Sequence, residues 1–118
     1  MKALVLLNVA NLEVLPPMYN AYLEVSSCDR LHDIDALAQS KIGVLVLDHI
    51  KIACLEPIGQ MDPLPRCVIL SMLWHPVAPS WLIKVSELSL IRCPMMQSEN
   101  HEKELRRHCR YLEYKWVD

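Results

Sequence analysis

The sequence predicts an α/β fold: a single domain over residues 1–118, with a doubly wound, five-stranded parallel sheet and helices on both faces. The chain has 118 residues, a length typical of one domain, and 53% of them are hydrophobic, which excludes a disordered chain. Short runs of consecutive apolar residues are typical of parallel strands that are buried on both faces. Segments that can form helices alternate with these runs, which favours a βα pattern.

Three apolar runs give the strongest strand predictions, and two further segments give weaker ones. The strong predictions are residues 3–7, 44–47 and 67–70; the weaker ones are residues 22–26 and 89–92. None of the three strong runs alternates between polar and apolar residues. We therefore expect both faces of the sheet to be covered.

The helix predictions differ in strength along the chain. Residues 33–40 and 80–88 are predicted as short helices, whereas residues 11–19 contain Pro16 and Pro17, which interrupt a helix. Residues 54–65 contain three prolines and are predicted to be mostly loop. No internal repeat, low-complexity segment or domain linker is evident.

Residues 98–115 form the strongest predicted helix. Ser98 can cap its start, acidic residues follow in the first turns, and basic residues lie toward its end, as the helix dipole favours. An apolar stripe supports a helix over the whole segment: Leu105, Cys109, Leu112 and Trp116.

Composition excludes several classes of function. The formal net charge is -2, so no basic excess indicates nucleic-acid binding. The 2 glycines form no phosphate-binding loop, and the 5 cysteines match no zinc spacing. We expect reduced cysteines, a cytoplasmic location, no membrane segment, no metal and no cofactor. His101 and His108 are seven residues apart and do not form a recognisable metal pair.

Polar residues follow the three strongest strand predictions: Asn8, Asp48 and Ser71. The carboxyl ends of parallel strands meet at one edge of a sheet, where open α/β folds place their sites. We therefore expect these three side chains to lie near one another.

The order of elements resembles the receiver domain of bacterial response regulators. Residues 44–48 resemble the receiver strand that ends in the phospho-accepting aspartate, here Asp48, and residues 68–71 resemble the strand that ends in a phosphate-contacting Ser, here Ser71. Residues 90–94 resemble the strand that carries a lysine followed by a cis-proline, here Cys93 and Pro94, and residues 1–8 resemble the first strand. The resemblance implies a flavodoxin-like sheet with strand order 2-1-3-4-5.

The chain departs from the receiver pattern at the chemically important positions. Leu7 and Asn8 stand where receivers have two magnesium-binding acids, and Cys93 stands where they have the lysine. Phosphoryl transfer to Asp48 needs those charges. The resemblance therefore implies a degenerate phospho-acceptor site comprising Asp48, Ser71, Asn8, Cys93 and Pro94, in a protein that is not an enzyme.

The function that follows from this resemblance is phosphorylation-independent regulation through protein contacts, in two-component signalling or transcription control. The partner is another protein or a second copy of the chain. The family's partner face would involve Trp81 and the last helix, where Arg106, Arg107 and Arg110 could pair with glutamates across a two-fold axis. A solvated helix face with ion pairs along the helix explains the same arginines.

Two other functions are consistent with the sequence. A small flavodoxin-like enzyme or binding protein would use Asp48, Ser71 and Cys93 at the carboxyl edge of the sheet, and would need a pocket with converging polar groups. A structural assembly subunit would instead present a large apolar face.

Overall fold

The protein contains a six-stranded, all-parallel sheet with a few short helical segments, as seen in a computed structural model that describes residues 2–52 and 54–116. The strands are β1 (Ala3–Leu7), β2 (Tyr19–Ser26), β3 (Lys41–Asp48), β4 (Cys67–Ser71), β5 (Glu87–Ile91) and β6 (Tyr111–Lys115). The helical segments are a 3-10 helix at Asp35–Gln39, α1 (Glu56–Gly59), a second 3-10 helix at Ser80–Lys84 and α2 (Glu99–His108). The α/β class and the parallel sheet are confirmed.

The strands lie side by side in the order in which they occur in the chain, β1-β2-β3-β4-β5-β6. The predicted count of five strands and the predicted order 2-1-3-4-5 are therefore wrong. A doubly wound sheet reverses its direction of growth once, which places helices on both faces. Here the sheet grows in one direction only, so its connections pass over the same face, and the predicted helices on both faces are not formed.

The strands recur at a nearly regular interval. Inward-facing residues at equivalent register positions, which are Leu4, Leu23, Leu45, Val68, Leu88 and Leu112, are separated by 19, 22, 23, 20 and 24 residues. One strand and one returning segment thus form a repeat that stacks on the next, which is the arrangement of a solenoid. The sequence-based conclusion that the chain lacks an internal repeat is wrong.

The same left-handed turn follows five successive strands. Asn8, Ser27, His49, Met72 and Arg92 each come directly after a strand and have φ values of 50 to 54°. The backbone N–H of each donates to the carbonyl of the last residue of the next strand, at 2.9 to 3.0 Å. Left-handed backbone is unfavourable for residues with a Cβ, and the interstrand hydrogen bond offsets that cost at each of these five turns.

Each left-handed turn is followed by a buried or half-buried apolar residue. In two repeats this residue is a cysteine whose thiol contacts the carbonyl of the preceding strand. Cys28 Sγ lies 3.7 Å from the Leu6 carbonyl oxygen, and Cys93 Sγ lies 3.5 Å from that of Leu70. Both cysteines are fully buried. They act as small core residues, each with a thiol directed at a backbone carbonyl of the neighbouring strand.

The last predicted helix is confirmed only in its first half. Ser98 caps α2 by accepting a hydrogen bond from the His101 N–H at 3.1 Å, but the helix ends at His108. Residues 111–115 form β6, in which Tyr114 points inward and exchanges hydrogen bonds with the backbone of Ser98. The apolar stripe predicted for one long helix is therefore divided between a helix and a strand.

The other helical predictions have mixed outcomes. The predicted helices at residues 33–40 and 80–88 are shorter 3-10 helices, and residues 54–65 contain the four-residue helix α1. Residues 11–19 form no helix; Val14 pairs with the neighbouring repeat through a bridge to Asp33, and Tyr19 is the first residue of β2. No helix in the described ranges is long and apolar enough to cross a membrane.

Candidate functional site

Two of the predicted site residues meet at the carboxyl edge of the sheet. Asp48 and Ser71 occupy equivalent positions at the ends of the adjacent strands β3 and β4. The hydrogen bond to the Asp48 carboxylate comes from the other side, however, where the Ser26 hydroxyl donates to it at 2.8 Å. Asp48 is thus held by a serine of β2, which the sequence analysis did not include.

Asn8 does not join this pair. It follows β1, and β2 lies between β1 and β3. Two strand spacings, or about 10 Å, separate the end of β1, where Asn8 lies, from the end of β3, where Asp48 lies. The expectation that Asn8, Asp48 and Ser71 would cluster depended on β1 lying next to β3, and this neighbourhood does not occur.

Cys93 faces the core instead of the sheet edge. Its side chain is fully buried, and its thiol contacts the carbonyl oxygens of Ile91 and Leu70 at 3.3 and 3.5 Å. Burial raises the pKa of this thiol, since a thiolate is poorly solvated there. Pro94 follows it at a half-buried position. A neutral, enclosed thiol suits packing and not nucleophilic chemistry.

The predicted partner interface is only partly at the surface. Trp81 is 4% exposed, and its indole N–H donates to the Leu55 carbonyl at 3.2 Å. Gly59 lies against this indole, where a Cβ would approach the ring to 2.5 Å. Trp81 is therefore a core residue and is unsuited to a partner contact.

The arginines of the last helix are exposed, as a partner surface would need. Arg106 forms an ion pair along the helix with Glu102 at 2.7 Å. Arg107 lies in the last turn of α2, and Arg110 lies between α2 and β6. The contact made by Arg106 is the one expected for a solvated helix face.

The sheet has one face that the core does not use. Alternate strand residues point inward and pack with the helical segments, and the others form three outward rows. The first row is Ala3, Tyr22, Val44, Cys67, Glu87 and Tyr111; the second is Val5, Glu24, Val46, Ile69, Ser89 and Glu113; the third is Leu7, Ser26, Asp48, Ser71, Ile91 and Lys115. We refer to these three rows as the outward face.

The centre of the outward face is apolar. Val46 and Ile69 lie side by side on β3 and β4, and neither belongs to the core cluster. Val46 is only 8% exposed, although it points away from the core cluster. Val46 and Ile69 thus form a closely packed apolar strip on the outward face of β3 and β4.

Polar groups flank this apolar strip, with a hydrogen bond on one side and an ion pair on the other. The Tyr22 hydroxyl donates to the Glu24 carboxylate at 2.6 Å, and this hydrogen bond, with burial and the nearby negative charge, raises the pKa of Tyr22 to about 12. On the other flank, Glu87 lies 3.9 Å from the Arg66 guanidinium. The sequence does not reveal this face, because continuous apolar runs indicate strands covered on both sides.

A groove of about 360 Å³ lies beside the carboxyl edge of the sheet. The loops after β3 and β4 line it with Ile50, Lys51, Ile52, Trp74, His75 and Pro76. Trp74 is 67% exposed. Asp48, Ser71 and Cys93 are not among the lining residues, so this groove is not the pocket that the enzyme hypothesis requires.

Within residues 2–52 and 54–116, no group of three or more His, Cys, Asp or Glu side chains is arranged to hold a metal ion. Comparison of the chain with family models, curated proteins and solved structures gives no significant match.

Proposed function

We propose that the chain is a protein-binding solenoid of leucine-rich-repeat type, which acts in regulation or assembly through protein contacts on its outward face. The observation that carries this proposal is an uncovered sheet face with an apolar strip at its centre. Solenoids commonly bind partners through such extended faces.

The sequence pattern around each strand supports the repeat assignment. Leucine-rich repeats have 20–29 residues and follow the pattern L-x-L-x-x-N/C around one strand. Here the second repeat has Leu23, Val25 and Cys28 at those positions, and the fifth has Leu88, Leu90 and Cys93. The third and fourth repeats have an aliphatic residue in place of the cysteine.

The surroundings of Asp48 support regulation without phosphorylation. Its register neighbours are Ser26 and Ser71, which carry no charge. Transfer of a phosphoryl group needs cations at the transferring oxygens, and neutral hydroxyl groups do not supply them. The receiver-like mechanism also relies on the strand order 2-1-3-4-5, so we base the proposal on contacts and not on that resemblance.

A photo-crosslinking experiment tests the proposal. A photoreactive amino acid replaces Ile69, at the centre of the outward face, in one variant and Lys84, on the helical side, in a matched control. We expect the Ile69 variant to crosslink to a discrete partner in extracts of the source cells, and the Lys84 variant not to do so. Ile69→Asp should abolish capture of that partner, and circular dichroism should show that the variant remains folded, because the side chain lies outside the core cluster.

Two results would contradict the proposal. Crosslinking to the same partner from Lys84, or from both positions equally, would place the binding surface elsewhere. Unchanged capture by Ile69→Asp would show that the apolar strip does not contribute to binding.

A further inference from the structure

The two edges of the sheet differ in their protection against further strand pairing. Edge strands of monomeric proteins are usually protected by charged residues, proline or a covering element. At one edge, β6 carries Glu113 and Lys115, and Arg110 precedes it. At the other edge, Ala3–Leu7 contains five apolar residues with no charge and no proline.

Within residues 2–52 and 54–116, β1 pairs with β2 on one side and with no strand on the other. The Asn8 N–H donates to the Ser26 carbonyl in β2. Because hydrogen-bonding direction alternates along a strand, the N–H and C=O groups of Leu4 and Leu6 also point to β2, and those of Ala3, Val5 and Leu7 point away from it. The N–H and C=O groups that point away from β2 can pair with another β-strand, which would cover the edge.

Side chains at this end of the solenoid remain only partly covered. On the outward face, Val5 is 47% and Leu7 55% exposed. On the inward side, Leu4 and Leu6 pack against the core but stay half-buried, although their counterparts in β2 and β3 are fully buried. This partly exposed apolar edge therefore favours a covering partner.

We propose that this edge pairs with the β1 edge of a second copy of the chain, antiparallel and about a two-fold axis at Val5. In this register Val5 lies opposite its own counterpart, Ala3 lies opposite Leu7, and Leu4 lies opposite Leu6. The backbone groups that point away from β2 then form the new ladder. Apolar residues meet on both faces of the extended sheet.

Charge favours the antiparallel arrangement. Lys2 is the one charged residue between positions 2 and 12. Parallel pairing would place the two Lys2 side chains next to each other, whereas the two-fold arrangement places each opposite residue 8, an uncharged Asn. The arrangement is also isologous, so it closes as a dimer and does not extend into a fibre.

The dimer should be weak. A single pair of five-residue strands buries less area than the roughly 1,200–2,000 Å² of specific stable interfaces. We expect a dissociation constant in the micromolar range or above. Dimerisation uses the β1 edge and leaves the outward face of β3 and β4 free, so it does not depend on the proposed function.

Analytical ultracentrifugation over a series of protein concentrations tests the proposal. We expect a monomer–dimer equilibrium, and Val5→Lys should raise the dissociation constant about tenfold or more because two ammonium groups would face each other. Val77→Lys is the matched control, since Val77 is 65% exposed on the loop after β4. It should dimerise like the original chain.

An equimolar mixture of Val5→Lys and Val5→Glu variants tests the register. Opposite charges at the two-fold axis should restore a dimer in the mixture, although each variant alone is monomeric. A chain that stays monomeric at all concentrations, grows beyond a dimer, dimerises equally well as Val5→Lys, or gives no mixed dimer would overturn the proposal. Circular dichroism of both variants establishes that they are folded.

Discussion

At the residue scale, Ser40 connects two repeats through a buried hydroxyl group. The side chain is 2% exposed; its Oγ donates to the Ala36 carbonyl at 2.8 Å and accepts from the Met18 N–H at 2.9 Å. Met18 precedes β2 and Ser40 precedes β3, so this single hydroxyl group fixes the entry to both strands. Such a buried donor-acceptor pair is costly to break.

We expect Ser40→Ala to reduce the free energy of unfolding by about 1–3 kcal/mol, because the Met18 N–H would remain buried without a partner. Urea denaturation measures the change. Ser71→Ala is the control, since Ser71 is half-buried on the outward face and its hydroxyl forms no hydrogen bond within residues 2–52 and 54–116. Equal losses in the two variants would show that the Ser40 hydrogen bonds contribute nothing specific.

Tyr22 gives a pH-dependent signal from the outward face. Its pKa rises from 10.0 to about 12, first because its hydroxyl donates to Glu24 and then because of burial and the nearby carboxylate charge. Between about pH 10 and 12 the folded chain keeps this proton while the unfolded chain loses it. Stability is therefore complete below pH 10 and decreases as the pH rises through this window.

Tyr22→Phe should remove this part of the alkaline loss of stability, which urea denaturation at several pH values measures. Ultraviolet titration of the phenolate should show one late-ionising tyrosine fewer than in the original chain. Tyr19→Phe is the control, because Tyr19 is 62% exposed. If the late ionisation persists in Tyr22→Phe, the Glu24 hydrogen bond does not govern the titration.

At the element scale, the strands could be predicted from the sequence because burial and β-branching act locally. All five predicted strand positions overlap the observed strands β1 to β5. The sixth strand was missed because Leu105, Cys109 and Leu112 fit a helical spacing. The alternation of Tyr111, Leu112, Glu113 and Tyr114 fits a strand equally well, and the contact of Tyr114 with Ser98 decides between the two.

The turns explain why the repeat could not be recognised from the sequence. A left-handed residue follows five strands, but serine, histidine, methionine and arginine occupy four of these positions, where glycine is the usual signal. Hydrogen bonds to the next strand, which only the folded chain has, stabilise these turns. The order of the strands likewise depends on which strands pair in the folded chain. Asp48 and Ser71 lie at strand ends in both a receiver fold and a solenoid, so their positions do not distinguish the two.

At the scale of the whole molecule, each repeat contacts mainly its neighbours, because the six described strands pair in sequence order. The stability of such a stack is close to a sum of repeat and interface contributions. The central repeats have two neighbours each, and the repeat containing β1 has one. A substitution in the centre of the stack should therefore lower the free energy of unfolding more than one at the edge. It should also expose the amides of more strands.

Leu45→Ala and Leu4→Ala test this difference, because the two leucines occupy equivalent inward positions in β3 and β1. Leu45 is fully buried, and its truncation should cost about 2–5 kcal/mol and reduce amide protection in every strand. Leu4 is half-buried, so its truncation should cost less and expose the amides of β1 while β4 and β5 stay protected. Native-state hydrogen exchange at low protein concentration measures both patterns. Uniform loss of protection in both variants would mean that the sheet unfolds as one unit, because interface coupling then exceeds the stability of any single repeat.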